Sequence, residues 1–421
     1  MKTAHQRYSD KRAMHGPWQI TGIKRADYKG AVVIPACDEE QWLFLTLASL
    51  AANPPDLLDD FLVLVVVNHP AGADHSVRIA NRRTLEHFTA SPLRHRLQLG
   101  WIDACGKGVE MVDGGVGAAR KLGFDLALSR LRDDIDPLLV SLDADTLVEP
   151  NYLETIVRHF ALSRAGGAVL PFAHQPAKND AEQQAIIHYE LYMRCYLQGL
   201  RQAGSPYAFH ALGSALACRA SAYVGCGGMN RRPGGEDFYF MQSLIKTSGV
   251  DNLFGTTVHP AARLSMRVPF GTGPALLRLI DNPGEQSFYP PEAFALLGDW
   301  LALVGKSGQL DGTGLQKAAT ALSPELGQLM HRRRLAATWD RLRNNHRSET
   351  GRLRAFHAWF DGLKTRQLLR DLCRPGRFNM LTATEAVPLY LAQVGLETTA
   401  SLAGDLEVFR TAQNTPAPVG K

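Results

Sequence analysis

Long apolar runs are missing from this chain of 421 residues; the longest, residues 61–67, holds seven. A helix that crosses a bilayer needs about 20, so the sequence offers no transmembrane segment. Residues 1–30 are polar and basic with no continuous apolar centre, unlike a secretory signal. Cysteine is sparse and scattered: six, at 37, 105, 195, 218, 226 and 373, with no pair at metal-ligand spacing. Free thiols in a cytoplasmic protein are expected from that usage. No internal repeat is visible. A broad excess of one charge is also lacking. The net charge is +5, but residues 331–374 carry twelve lysines and arginines against four acids, a local +8 that leaves about −3 for the remainder. An anionic partner is therefore to be sought at that one region. What remains is ordinary globular composition, 45% hydrophobic and 21% charged, in a chain long enough for a large core and two domains.

Strand and helix patterns alternate from residue 31. Residues 31–35 read as a short buried strand. Asp38, Glu39 and Glu40 follow and open a helix with Trp42, Leu43, Leu47 and Leu50 at helical spacing, for which Asp38 is the expected N-cap. Residues 61–67 form a second strand ending at Asn68, and an amphipathic helix over 77–88 comes next. A third strand covers 97–102, a loop with five glycines spans 106–117, a helix covers 118–131 and a fourth strand covers 138–142. This alternation predicts an α/β fold with a doubly wound, mostly parallel sheet. Further strand patterns lie at 168–171 and 212–218, and helices at 181–202 and 238–246. Tyr189, Tyr192 and Tyr196 in the first of these helices read as packing residues. From about residue 283 the pattern is helical. The expected organisation is an extension over 1–29, a catalytic domain over 30–280, a helical region over 281–410 and a disordered tail over 411–421.

The segment with the most chemistry is Leu138-Leu-Val-Ser-Leu-Asp143-Ala-Asp145. A buried strand runs straight into two aspartates that leave an extended backbone on the same face. Ligands of open α/β sheets bind at the carboxyl ends of the strands. Two hard oxygen donors there suit Mg²⁺ or Mn²⁺, which leaves other positions to water and phosphates. A solvated turn would use the same residues. Gly234-Gly-Glu236-Asp237 opens a later helix; acids are favoured at such a start in any case.

Four features in this order, Pro35-Ala36-Cys-Asp38-Glu39, Asn68, Asp143-Ala-Asp145 and Glu236-Asp237, resemble glycosyltransferase family 2. Gly117-Ala-Ala-Arg120-Lys-Leu-Gly123 also resembles that family's segment ahead of the metal strand. The resemblance covers about residues 30 to 270. It implies the GT-A fold, Asp143 and Asp145 as metal ligands, and Pro35, Ala36, Asp38, Glu39, Asn68, Arg120 and Asp143 on the donor side. Asp237, or else Glu236, is implied as the base for the acceptor hydroxyl, in a reaction that inverts the anomeric centre. Two departures are plain: the family's first motif has an aromatic and then Asn-Glu, and its second strand ends in Asp where this chain has Asn68. The family's processive synthases carry Gln-x-x-Arg-Trp and membrane helices; this chain has neither motif nor span, which points to single transfer.

His259 could supply a third metal ligand, and Arg263 and Arg267, four apart, could face a diphosphate together. The expected activity is thus a metal-dependent glycosyltransferase using Mn²⁺ or Mg²⁺ and a nucleotide diphospho-sugar, with a saccharide, lipid-linked or small hydroxyl acceptor. No nucleic-acid partner is expected. The basic C-terminal helices could touch the inner face of a membrane or be a solvated surface. Two other readings stay open: a nucleotidyltransferase that makes the sugar nucleotide, against which the acidic Asp38-Glu39-Glu40 loop counts, and a non-catalytic binding protein on the same fold.

Overall fold

The computed structural model describes residues 4–111, 115–232, 234–265, 271–282, 286–373 and 377–415. The chain divides into two compact units, one of residues 1–186, 211–280 and 410–421, the other of 187–210 and 281–409. Nine strands are present among the described residues: β1 Gly30–Ala36, β2 Phe61–Asn68, β3 Gln98–Ala104, β4 Leu138–Ser141, β5 Thr146–Val148, β6 Gly167–Val169, β7 Leu216–Arg219, β8 Val250–Asn252 and β9 Val258–Pro260. The first ten helices are α1 Ala4–Lys11, α2 Leu43–Leu50, α3 Pro55–Asp60, α4 His75–Ala90, α5 Val116–Ala127, α6 Tyr152–Leu162, α7 Asp180–Gln202, α8 Ala220–Gly225, α9 Glu236–Thr247 and α10 Thr272–Asp281.

Seven strands make one sheet in the order β3-β2-β1-β4-β7-β6-β8. Every residue of β1 and β2 is buried, which is why these runs lack polar alternation: both faces are covered. β1 pairs in parallel with β2 and β4, and β2 with β3. β7 departs from the expected parallel order. It is antiparallel to both β4 and β6, because the chain re-enters the sheet from the opposite end after α7; β6 and β8 are again parallel. The sheet is mostly parallel, as expected. The registers Val33–Ser141 and Ala36–Val67 bring the carboxyl ends of β4, β1 and β2 to one edge. β5 and β9 form a separate antiparallel pair, with Leu147 opposite His259. Three-residue strands are too short for a period-2 signal, and the sequence pattern did not reveal this pair.

The second unit is helical, as expected, and includes α11 Pro291–Lys306, α12 Gly312–Leu322, α13 Pro324–Arg332, α14 Leu335–Asn345, α15 Glu349–Trp359, α16 Gly362–Leu372, α17 Ala383–Ala392 and most of α18, Leu402–Asn414. α18 runs to Asn414, into the stretch expected to be disordered. The buried Leu406 and Phe409 on its inward side explain why it is helical. An aromatic cluster lies within the largely aliphatic core of this unit. Trp300 meets Phe356 and Phe360 edge-on at 5.8 and 6.3 Å, and Phe356 stacks on Phe360 at 5.7 Å. These are the offset and edge geometries that aromatic quadrupoles favour. Tyr192 and Tyr196 pack on Phe288 and Phe294 in the same core. Arg332, Arg334, Arg341, Arg347, Arg354, Arg366 and Arg370 are exposed. No helix among the described residues is long and apolar enough to cross a membrane.

Trp300 is fully buried, so Trp300→Ala is expected to cost about 3–5 kcal/mol. Chemical denaturation followed by far-UV circular dichroism measures it; a loss under about 1 kcal/mol would contradict this account of the core.

Candidate functional site

Backbone geometry at the β1 edge differs from the expected helix start. α2 begins at Leu43 with Trp42 at its N-cap and no side-chain cap. Asp38 is not the N-cap: it is exposed and sits earlier, in a left-handed turn at φ 58°, a conformation that Asp tolerates better than most residues. Its N–H donates to Oδ1 of Asn81 at 2.9 Å, and Nδ2 of Asn81 donates to the carbonyl of Asn68 at 2.9 Å. One buried amide thereby ties the loop after β1 to the end of β2. Asn81 was missed in the sequence; the available signal was a poor helix former in the middle of an amphipathic helix. Pro35 and Ala36 are buried in β1, and Asn68 is buried at the end of β2.

The aspartates after β4 are each held by an arginine from a distant segment. Arg120 on α5 is fully buried and pairs with both Asp143 and Glu236. It was expected on the donor side; here it joins the carboxylate past β4 to the first residue of α9. A Cβ at position 213 would stand 2.4 Å from Nη2 of Arg120, so a side chain there would require the guanidinium to shift. Arg263 takes the other aspartate. Its Nε donates to Asp145 at 2.7 Å and its Nη2 to Glu39 at 2.5 Å. Its guanidinium carbon stands 5.4 Å from the ring centre of half-buried Trp42, within cation–π range. Trp42, read from the sequence as part of an apolar helix face, therefore belongs to the site. Ala144 between the aspartates is pinned by Thr46, whose hydroxyl donates to its carbonyl at 2.9 Å. Gln175 Nε2 donates to the Asp145 and His259 carbonyls at 3.1 and 2.6 Å. Arg267 lies outside the described residues.

Asp237 is half-buried at the start of α9, and its Oδ1 accepts the N–H of Phe238 at 2.7 Å. Burial pushes its carboxyl up to about 7; the charge of Glu236 adds to the rise and Arg120 opposes it. A carboxyl tuned to neutral pH can exchange a proton with a substrate hydroxyl near physiological conditions.

Asp143 and Asp145 offer hard oxygen donors, each partly open to solvent. That donor set fits Mg²⁺ or Mn²⁺ in chemistry. The expected third ligand is not brought to them. Among the described residues no three His, Cys, Asp or Glu side chains are grouped to hold a metal. Pairing of β9 on β5 sets His259 opposite Leu147, past the aspartates. Its Nδ1 lies 3.1 Å from the Ala173 carbonyl and its Nε2 3.6 Å from Glu149 Oε1.

Residues 31–224 match the model described as glycosyl transferase family 2. No curated protein sequence matches the chain. Similar solved structures include S. aureus TarS 1–349 in complex with UDP-GlcNAc, 11% identical, with 82% of this chain and 92% of that one covered and a TM-score of 0.41. Another is the mannosyltransferase PcManGT from Pyrobaculum calidifontis in complex with GDP-Man and Mn²⁺, 15% identical, with 97% and 92% covered and a TM-score of 0.36.

Removing Arg120 would leave Glu236 buried without its cation. Arg120→Met is expected to destabilise the fold by about 3 kcal/mol or more, and Arg120→Lys to recover only part, because an ammonium cannot fork between two carboxylates. Urea unfolding of both variants checks this; a neutral Arg120→Met would contradict the bridging role.

Proposed function

We propose that the protein, whose residues 31–224 match the glycosyl transferase family 2 model, moves one sugar at a time from a nucleotide diphospho-sugar to an acceptor hydroxyl, with inversion at the anomeric carbon. The observation that carries this reading is the contact of Arg120 with both Asp143 and Glu236. It joins a diphosphate-side carboxylate and an acceptor-side acid pair, 93 residues apart in sequence, in one site.

The roles follow from chemistry. Asp143 and Asp145 would hold a divalent cation, Mg²⁺ or Mn²⁺, which when bound neutralises charge developing on the diphosphate leaving group. Asn68, Asp38 and Glu39 line the strand ends where the nucleoside would sit, in the crevice such sheets use. Asn68 offers an amide with donor and acceptor atoms. Arg263 lies beside Asp145 and can meet a phosphate oxygen with the same fork that now meets carboxylates. Asp237 accepts the acceptor proton as the hydroxyl oxygen attacks the anomeric carbon from the face opposite the leaving diphosphate. Glu236, bound to Arg120, fixes the start of the helix that carries the base.

Asp237→Asn is expected to lower transfer at least 100-fold while leaving nucleotide binding unchanged. In the native enzyme the rate should rise with pH as the carboxylate forms, through about pH 7. Stability runs the other way. A carboxyl that keeps its proton to higher pH when folded contributes fully below about pH 4 and loses that contribution as pH rises through about 7. Asp237→Asn should therefore be no less stable than the native chain at pH 8. Release of nucleoside diphosphate from nucleotide diphospho-sugars, with Mn²⁺ and mixed saccharide or lipid acceptors, reads the rate. Full activity in Asp237→Asn would overturn the assignment of the base.

A further inference from the structure

Behind the acid pair lies a buried polar cluster that the transfer chemistry does not use. Asp125 of α5 is buried, and its Oδ1 accepts the hydroxyls of Tyr8 on α1 at 2.6 Å and Tyr223 on α8 at 2.8 Å. Its Oδ2 accepts the N–H of Met14 at 2.7 Å and lies 2.8 Å from Nζ of Lys121. Lys121 in turn donates to the Tyr8 hydroxyl at 2.8 Å. Lys121, Asp125, Tyr8 and Met14 are all buried, so the segment ahead of the sheet is fastened to α5 inside the protein.

The same residues touch both helices of the site. Tyr8 meets Tyr223 edge-on at 5.7 Å, and Tyr223 meets Phe124 of α5 at 5.4 Å and Phe240 of α9 at 5.7 Å. Phe124 stands one turn beyond Arg120, and Phe240 one turn beyond Glu236. A Cβ at Gly228 would fall 2.0 Å from the Tyr8 hydroxyl, so the turn after α8 closes directly on Tyr8. Two residues later, Asn230 donates to the Glu236 carbonyl at 3.1 Å.

A carboxylate with this many donors specifies geometry more than it adds stability. Desolvation of the ion pair roughly offsets its attraction, whereas loss of one partner leaves charge unmatched. We infer that the N-terminal segment, through Tyr8, is a positioning element that sets the spacing of α5 against α9 and so holds the Arg120–Glu236 contact in register. Its effect on turnover rests on the reading of Glu236 and Asp237 as the acceptor-side acids; its effect on the helices does not.

Tyr8→Phe in the full chain keeps the ring and removes the hydroxyl. Amide hydrogen exchange of the first turn of α9 should quicken about tenfold, with β1 and β2 unchanged, as for local opening. Turnover should fall about tenfold at an unchanged donor KM, the signature of misplaced catalytic groups. Combined with Glu236→Gln, it should add little further loss, because both changes act on one contact. Asp125→Asn, close in shape to the native side chain, should give the same pattern and guards against a fault peculiar to Tyr8. Unchanged exchange at α9 in both variants would overturn the inference, whatever the activity. Lower melting temperature with native turnover and native α9 exchange would also overturn it, as a purely structural anchor. Altered exchange in a protein that transfers no sugar would instead remove the functional reading and leave the positioning role standing.

Discussion

One buried guanidinium organises the catalytic unit. Arg120 bonds to Asp143 at the end of β4 and to Glu236 at the start of α9, and the two carboxylates come from opposite sides of the reaction proposed here. Two acids brought together at low dielectric repel each other unless a cation stands between them. The guanidinium supplies that charge in a fork that fits two partners, and glycine at 213 leaves it the space. The rise of the Asp237 carboxyl to about 7 follows from the same arrangement: it shares the burial and the charge of Glu236, while Arg120 is committed to other oxygens.

Arg263 plays the corresponding part on the outer side. It spans Glu39 and Asp145 and lies over Trp42, linking the loop after β1 to the second aspartate. Both aspartates of the Asp143-Ala-Asp145 motif therefore already have cationic partners. A divalent ion on the two aspartates would take over only their side of these contacts, leaving Arg120 to Glu236 and Arg263 to Glu39.

Much of the architecture was legible because burial writes a simple pattern. The runs at 31–35 and 61–67 are apolar throughout, and both become inner parallel strands. The aspartates at 143 and 145 could be placed at a strand end for the same reason. What the sequence did not disclose depends on contacts between distant segments. Arg120 read as a donor-side residue near a helix start, and nothing local marks its two partners, 23 and 116 residues away. Asp38 looked like a helix cap because acids favour that position, but the turn there is held by Asn81 from another helix. His259 was only a possible third ligand; a three-residue strand pairing, invisible to periodicity, sets it opposite Leu147. Tyr8 and Asp125 carry no motif at all.

The proposed function requires the crevice at the ends of β1, β2 and β4 to bind a nucleotide diphospho-sugar with a divalent ion on Asp143 and Asp145. The most direct measurement is the melting temperature of the native protein and of Asp145→Ala against a panel of nucleoside diphosphates and their sugars, with and without Mn²⁺. A ligand that binds only the folded state raises that temperature by mass action. The account predicts a Mn²⁺-dependent rise with one nucleoside class, abolished in a folded Asp145→Ala. No rise with any nucleotide, or an equal rise in the variant, would contradict it.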